Sequence, residues 1–183
     1  MPARRPSIIA EEMSRVLARV RPGEVEALGQ AILAANRIFV CGAGRSLLMM
    51  KAVAMRMMQV GLHAYVVGET VTPAITAGDL LIAGSGSGET RTTLAMVEAA
   101  HDRGSRTAVI TAHPGSPIAR VCDLVVEIPA AIVDVSGQQV SAQPPGTLFE
   151  QCMLAVGDGL ILWLMEKLGT TYEDIRARHT KLE

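Results

Sequence analysis

One stretch of the chain decides its fold: Leu80-Leu81-Ile82-Ala83-Gly84-Ser85-Gly86-Ser87-Gly88-Glu89-Thr90, which continues into the helix-like Thr92-Thr93-Leu94-Ala95-Met96-Val97-Glu98-Ala99-Ala100. An apolar run that stops in alternating Gly and Ser predicts a strand, a tight loop and the N-terminus of a helix. Glycines let the backbone approach a ligand closely, and the free N–H groups of a helix N-terminus favour a tetrahedral anion. The stretch therefore predicts a phosphate-ester site, although Gly and Ser in such a turn also serve geometry and capping alone.

A second loop of this kind occurs earlier in the chain. The apolar run Arg37-Ile38-Phe39-Val40-Cys41 leads into Gly42-Ala43-Gly44-Arg45-Ser46, and a long apolar helix pattern follows over residues 47–60. Ligands of open parallel sheets bind at the carboxyl ends of the strands. We therefore expect Gly44, Arg45 and Ser46 to share one site with residues 85–90, called the serine loop below.

Neither loop matches a known nucleotide-binding motif. Lys followed by Ser or Thr is missing at the spacing of a P-loop, and Leu47 stands where the dinucleotide fingerprint needs its third glycine. A small phosphorylated substrate is therefore expected rather than a nucleotide.

The composition excludes several classes of protein. The chain has 183 residues, of which 49% are apolar, 19% charged and 3% aromatic, and its formal net charge is −1. The length and apolar content are those of one globular domain with its own core. So few aromatic residues and no net positive charge argue against a nucleic-acid partner. We find no run of about 18 uninterrupted apolar residues and no apolar signal core, so we expect no membrane contact and a cytoplasmic location.

The order of apolar segments predicts a doubly wound α/β fold. Continuous apolar runs are typical of parallel strands that are covered on both faces. Strands are predicted at residues 37–43, 63–67, 79–84, 106–111 and 123–128, and helices at 6–20, 22–36, 46–60, 89–102 and 115–121. Cys41, Cys122 and Cys152 lie in apolar contexts without a C-x-x-C pair, which favours buried small side chains over disulfides or metal ligands.

The C-terminal third departs from this alternation of strands and helices. Residues 130–146 have little periodicity and predict a long loop of the kind that usually serves a site. The following helix, residues 149–168, is apolar around most of its circumference, and the helix pattern at 47–60 carries five Met. Since a helix that is apolar on all sides must be buried on all sides, we expect a homo-oligomer with these two helices at its interfaces. Thr171 to Asp174 form a capping-box variant that opens a short terminal helix ending at His179.

Glu150 and the histidines are the candidate acid–base residues. Glu150 lies in the first turn of the apolar helix, where an acid complements the helix dipole. It also suits a general base, because apolar walls raise the pKa of a carboxyl group while a helix N-terminus lowers it. His179, in the last turn of the terminal helix, has the corresponding dipole explanation. His113 follows a strand and is expected either at an ordinary surface position or facing the cleft.

Five segments together resemble the sugar isomerase (SIS) domain family: Gly42-Ala43-Gly44-Arg45-Ser46, Val67-Gly68-Glu69-Thr70-Val71-Thr72-Pro73-Ala74-Ile75, Ser85-Gly86-Ser87-Gly88-Glu89-Thr90, Pro145-Gly146-Thr147-Leu148-Phe149-Glu150 and Arg178-His179-Thr180-Lys181-Leu182-Glu183. The resemblance runs from about residue 8 to the end. It implies a flavodoxin-like, three-layer αβα sandwich with a five-stranded parallel sheet and extra terminal helices. It also implies a single domain over residues 1–183, with its core at about 30–170, N-terminal helices within 1–36 and a C-terminal helix and tail at 171–183.

The fourth and fifth segments narrow the resemblance to family members that interconvert D-arabino-3-hexulose 6-phosphate and fructose 6-phosphate. The resemblance implies a homotetramer with sites at subunit contacts, a place in the ribulose monophosphate pathway of formaldehyde fixation, and neither metal nor organic cofactor. It implies that Ser46 and the serine loop bind the substrate and that Glu150 abstracts the proton. For His179 it leaves two roles open, opening of the sugar ring or transfer of a proton between O2 and O3.

Two other functions stay open on the residues alone. A neighbouring isomerase of the same family, acting on arabinose 5-phosphate or sedoheptulose 7-phosphate, would keep the serine loop and change the groups beyond it. A non-catalytic sugar-phosphate sensor would keep the loop and need no base, and the acid at position 150 argues against it.

Overall fold

A computed structural model describes residues 5–130 and 141–181 of the chain. These residues form seven helices and five strands that alternate through most of the sequence. In chain order they are α1 (Arg5–Leu17), α2 (Pro22–Ala34), β1 (Ile38–Gly42), α3 (Gly44–Gln59), β2 (Ala64–Val66), β3 (Leu80–Gly84), α4 (Arg91–His101), β4 (Arg106–Thr111), α5 (Pro117–Val121), β5 (Leu124–Glu127), α6 (Thr147–Leu168) and α7 (Tyr172–Arg178).

The five strands form one parallel sheet in the order β2-β1-β3-β4-β5. Every residue of β1 and β3 is buried, because helices cover both faces of the sheet. Successive side chains of a strand point to opposite faces, and the two faces hold separate apolar clusters. Ile38 and Val40 of β1 join the cluster of α1, α2, α3 and α6, whereas Phe39 and Cys41 join that of α4 and α5. The predicted three-layer αβα sandwich is confirmed.

Strands β1 and β3 are neighbours in the sheet, and the helices that follow them lie on opposite faces. Helix α3 follows β1 onto one face of the sheet, and α4 follows β3 onto the other. A crevice opens at the carboxyl ends of two such strands, and ligands of this fold class bind there. The two glycine-rich loops found in the sequence therefore lie side by side at this crevice.

Local sequence signals explain several of the element ends. Pro22 stands at the start of α2, where its fixed φ suits a first helical turn. Ser116 caps α5 through its side chain, and Thr171 and Asp174 form the predicted capping box of α7.

Most elements match the predicted segments to within three residues, and the differences are at their ends. Strand β2 is shorter than predicted and half-buried, because it is an edge of the sheet. The predicted loop at 130–146 is described only at residue 130 and at 141–146; residues 131–140 lie outside the described residues.

Helix α6 packs against α1, α2 and α3 over much of its length. Among the described residues it is the one helix long and apolar enough to cross a bilayer, and half of its most apolar window is buried within the domain. Its remaining surface includes Leu162, which is 64% exposed. The three cysteines are free thiols, of which Cys41 and Cys152 are fully buried, as expected for small apolar side chains.

Candidate active site

The serine loop is held in one conformation by its own hydroxyl groups and glycines. Ser85 Oγ accepts a hydrogen bond from the Gly88 N–H at 3.2 Å and lies 3.5 Å from Thr90 Oγ1. Ser87 Oγ accepts from the Glu89 N–H at 3.2 Å. Gly88 has a φ of +65°, and a Cβ there would collide with the side chain of Ser116. The loop therefore needs glycine at position 88 for both its conformation and its packing.

Three helices begin around the same space without a side-chain cap. Their N-cap residues are Ala43 before α3, Thr90 before α4 and Gly146 before α6, and none of these side chains accepts a hydrogen bond from its helix. All three residues line one cavity. Uncapped N–H groups and the positive ends of three helix dipoles favour an anion in this cavity.

The cavity has a volume of about 470 Å³, enough for a phosphorylated sugar. Its lining residues come from both glycine-rich loops, from the end of β4 and from the start of α6. They are Ala43, Ser46, Gly84, Ser85, Gly86, Ser87, Thr90, Ala112, His113, Ala130, Pro145, Gly146, Phe149 and Glu150.

Glu150 lies in the first turn of α6 and projects into the cavity beside the start of α3. Arg45 Nε is 2.7 Å from Glu150 Oε2, and Ser46 Oγ donates a 3.4 Å hydrogen bond to Oε1. Burial raises the pKa of the Glu150 carboxyl group above its ordinary value, although the Arg45 charge and the Ser46 hydrogen bond oppose the rise. A carboxylate with a raised pKa in a cavity is suited to taking up a proton and returning it.

Six of the residues predicted for the site line the cavity: Ser46, Ser85, Gly86, Ser87, Thr90 and Glu150. The other predicted binding residues support it from outside. Gly44 begins α3, Arg45 pairs with Glu150, Gly88 shapes the serine loop, and the Glu89 N–H binds Ser87 within that loop.

His179 lies near the C-terminal end of α3, whereas Glu150 lies beside its start. It follows α7, is exposed, and its Nδ1 lies 3.2 Å from the Thr180 carbonyl oxygen. Its neighbour Arg178 donates to the Gln59 carbonyl at the end of α3, whereas Glu150 contacts Arg45 and Ser46 at the start of α3. Since an α-helix rises about 1.5 Å per residue, these two ends are roughly 20 Å apart. Within this chain His179 and Glu150 are therefore not brought together.

His113 and Phe149 also line the cavity: His113 faces the cleft, one of the two positions expected for it, whereas the sequence assigned no role to Phe149. His113 follows β4, the strand beside β3, and its N–H donates to Thr111 Oγ1 at 3.2 Å. The Phe149 ring packs against the backbone of Gly86, where a Cβ would be 3.0 Å from a ring carbon. The strand order is the signal for His113, because the end of β4 must lie beside the serine loop once β3 and β4 pair. Phe149 carried no such signal, since its partner is a loop more than 60 residues away in the chain.

Among residues 5–130 and 141–181, no group of three or more His, Cys, Asp or Glu side chains is arranged to hold a metal ion. Polar contacts to a ligand in the cavity can come from the hydroxyl groups of Ser46, Ser85, Ser87 and Thr90, and from backbone N–H groups at the helix starts.

Comparison with known proteins agrees with this geometry. The SIS domain model matches residues 31–143. A 3-hexulose-6-phosphate isomerase of Mycobacterium gastri is 41% identical over 97% of this chain and 89% of its own length. One from Bacillus subtilis (strain 168) is 40% identical over 96% of this chain and 95% of its own length.

A solved structure from Methanococcus jannaschii, from which a function of 3-hexulose-6-phosphate isomerase was inferred, superposes with a TM-score of 0.84 at 28% identity. The match covers 97% of this chain and 98% of that one. The family resemblance that the sequence predicted is thereby confirmed, and this chain belongs to the SIS domain family.

Proposed function

We propose that this protein is a 3-hexulose-6-phosphate isomerase, which interconverts D-arabino-3-hexulose 6-phosphate and fructose 6-phosphate. The relatives at about 40% identity that carry this name support the proposal. The structural observation that carries it is that Glu150 and the serine loop line one cavity. Among the described lining residues Glu150 is the one carboxylate, so a substrate held by the loop meets a single carboxylate base.

The phosphate group of the substrate binds at the serine loop. The hydroxyl groups of Ser85, Ser87 and Thr90 and the uncapped start of α4 supply donors there, and no fixed cation is needed because the helix dipole supplies positive potential. With its phosphate fixed, the sugar extends across the cavity toward Glu150 and the start of α3.

The isomerisation moves a carbonyl from C3 to C2. Glu150 removes the proton from C2 and leaves a cis-enediolate, and the same carboxyl group then returns a proton to C3. A second proton passes from O2 to O3. One carboxylate on one face of the enediolate serves both carbon centres, and its raised pKa suits both uptake and return of the proton.

The enediolate oxygens require donors while they carry charge. The backbone N–H groups at the start of α3, near Gly44 and Arg45, are uncapped and lie on the side of the cavity where Glu150 is. The Arg45 side chain is 50% exposed, which leaves it room to turn from Glu150 toward a substrate oxygen. Preorganised donors of this kind are among the largest contributions to such reactions.

The catalytic unit is a homo-oligomer, a tetramer by the family resemblance, and His179 enters each site from a neighbouring subunit. One observation supports this part of the proposal. The outer surfaces of α3 and α6 expose the apolar side chains of Leu48, Met55, Met58 and Leu162. A partner whose α3 runs antiparallel to this surface would bring the end of its own α7 toward Glu150, across the roughly 20 Å that separate the two ends of α3.

The remaining parts of the proposal concern its setting. We place the reaction in the ribulose monophosphate pathway and in the cytoplasm, where free thiols such as Cys41 and Cys152 persist. The reaction needs no metal and no organic cofactor, because the transfer of protons by a carboxylate is sufficient.

The decisive experiment incubates the protein with fructose 6-phosphate in deuterium oxide and follows the sugar by NMR. The expected result is the 3-ketose with deuterium at its C2, together with deuterium at C3 of the recovered fructose 6-phosphate, and Glu150→Gln should slow both by about 10²–10⁴-fold. Binding of fructose 6-phosphate without deuterium exchange would identify a sensor instead. Turnover of arabinose 5-phosphate or sedoheptulose 7-phosphate in preference to both hexulose phosphates would identify a neighbouring isomerase of the family.

A further inference from the structure

A buried carboxylate on the N-terminal helix holds one wall of the cavity. Glu12 of α1 is 4% exposed and lies among the residues that precede α6. Ser141 Oγ donates to its Oε2 at 2.8 Å, the Ala142 N–H to Oε1 at 2.8 Å, and Gln143 Nε2 to Oε2 at 2.9 Å. Three donors from three successive residues thus converge on one carboxylate about 130 residues away in the chain.

These three donors favour the ionised form of the Glu12 carboxyl group. Burial raises the pKa of Glu12, but the hydrogen bonds from Ala142, Gln143 and Ser141 and the charge of Arg15 outweigh it, and the pKa is lowered. A buried charge is tolerated when it is fully hydrogen-bonded, and loss of the acceptor leaves buried donors without partners. The contact is therefore a strong anchor for a segment that has no helix or strand of its own.

Residues 141–143 are followed directly by the turn that begins α6 and carries Glu150. Pro144, Pro145 and Gly146 follow Gln143, and Pro145 and Gly146 line the cavity. The Pro144 carbonyl accepts from the Thr147 N–H, and the Gly146 carbonyl accepts from the Glu150 N–H. Gly146 has a φ of +84°, and a Cβ there would lie 3.7 Å from Glu150 Oε1. The turn that carries Glu150 therefore begins one residue after the segment that Glu12 binds.

We propose that Glu12 is a positioning residue of the isomerase: by anchoring residues 141–143 it fixes the cavity wall at Pro145 and Gly146 and, through it, the Glu150 carboxylate. The inference rests on the proposed function of Glu150. The serine loop makes its backbone hydrogen bonds to Ile110, Ala112 and Ile118 and has none to Glu12 among the described residues, and it meets the start of α6 only where Phe149 packs on Gly86. Because the hydrogen bonds of the serine loop do not involve Glu12, loss of the Glu12 hydrogen bonds should slow the chemical step and leave phosphate binding unchanged.

Glu12→Leu tests this, since leucine keeps the helix and the bulk and removes every acceptor. The expected result is a kcat lower by about 10–100-fold, the size of effect that a small misplacement produces, with an inhibition constant for inorganic phosphate within twofold of the wild-type value. Amide hydrogen exchange at Ala142 and Gln143 should rise, a readout that does not depend on isomerase activity. Glu11→Leu, the same change at the exposed neighbouring position, is the matched control and should behave like the wild type.

Glu12→Gln is the conservative variant. It keeps one acceptor oxygen and gains an amide that can donate to Gln143 Oε1, a buried atom without a partner among the described residues. It should recover most of the kcat that Glu12→Leu loses. If Glu12→Leu does not fold, Gln143→Leu removes one donor only and should show the same pattern to a smaller degree.

A kcat within twofold of wild type in the folded variant would overturn the inference, as would a phosphate inhibition constant that rises in step with the loss of kcat. Failure of the proposed function looks different: the wild-type protein itself would then not turn over fructose 6-phosphate, while the exchange experiment would still report on the anchor.

Discussion

Arg45 Nε and Glu150 Oε2 lie 2.7 Å apart across the starts of two helices, and the two side chains differ greatly in their exposure: that of Arg45 is 50% exposed and that of Glu150 12%. The carboxylate is fixed by burial, whereas the guanidinium group reaches in from solvent. The Arg45 charge lowers the pKa of Glu150 against the larger rise that burial causes. Two consequences concern the pH at which the protein works and the pH at which it is most stable.

Arg45→Ala should move the acid limb of the kcat/KM profile to higher pH. Burial raises the pKa of Glu150 and Arg45 lowers it, so removal of the cation raises it further, and the base must be ionised to act. Arg45→Lys, which keeps the charge, should leave the limb close to that of the wild type. A limb at the same pH in Arg45→Ala and wild type would show that the limiting base is not Glu150.

Glu150→Gln should stabilise the fold near neutral pH. A carboxyl group whose pKa is raised on folding binds protons more tightly in the native state, so its contribution to stability falls as pH rises through the ordinary pKa of Glu and past the raised value. The amide carries no such cost. Thermal unfolding should therefore give a higher Tm for the variant at pH 7 and a difference that shrinks at pH values below the ordinary Glu range. A lower Tm at pH 7 would contradict this.

Gly88→Ala should disrupt the serine loop, whereas Gly115→Ala should be tolerated. A Cβ at position 88 meets Ser116 and forces a residue with φ +65° into an unfavourable conformation, which costs more than about 1 kcal/mol in the free energy of unfolding. The variant should unfold at a lower denaturant concentration, and phosphate should inhibit it less strongly. Gly115→Ala is the matched control, because no atom lies within 4 Å of its added Cβ. Equal behaviour of the two variants would argue against a close-packed loop.

Mixing two defective variants tests whether the site is shared between subunits. Glu150→Gln and His179→Ala should each lose turnover of fructose 6-phosphate, whose ring must open first. In a mixed oligomer, Glu150 of one chain and His179 of the other reconstitute an intact site, so activity should return after joint refolding. Mixtures without recovered activity would place both residues in one subunit or leave His179 without a role. Equal losses of His179→Ala in both directions would favour the proton shuttle over ring opening.

The succession of strands and helices along the chain, the two glycine-rich loops and the position of Glu150 in a first helical turn could all be predicted from local patterns. Each depends on a few consecutive residues: an apolar run of five, a Gly-Ser turn, a capping residue. The pairing of β1 with β3 in the sheet then brings the ends of these two strands together, which places Ser46 beside the serine loop.

The contacts that complete the site could not be predicted in this way. Arg45 pairs with Glu150, Phe149 packs on Gly86, and Glu12 binds residues 141–143, each across a separation of more than 60 residues. Such pairs depend on how helices pack onto the sheet, which single-residue chemistry does not encode. The sequence indicated Arg45 as a substrate residue, and its ion pair with the base emerged only from the packing of α3 against α6.

The separation of α7 from the start of α3 has a consequence for how such a protein is handled. If His179 must come from a neighbour, a lone chain is only part of a catalyst, and specific activity becomes a function of protein concentration. Extensive dilution would then abolish activity by dissociating the oligomer while leaving every chain folded. The extent of assembly would determine how much active enzyme a cell contains.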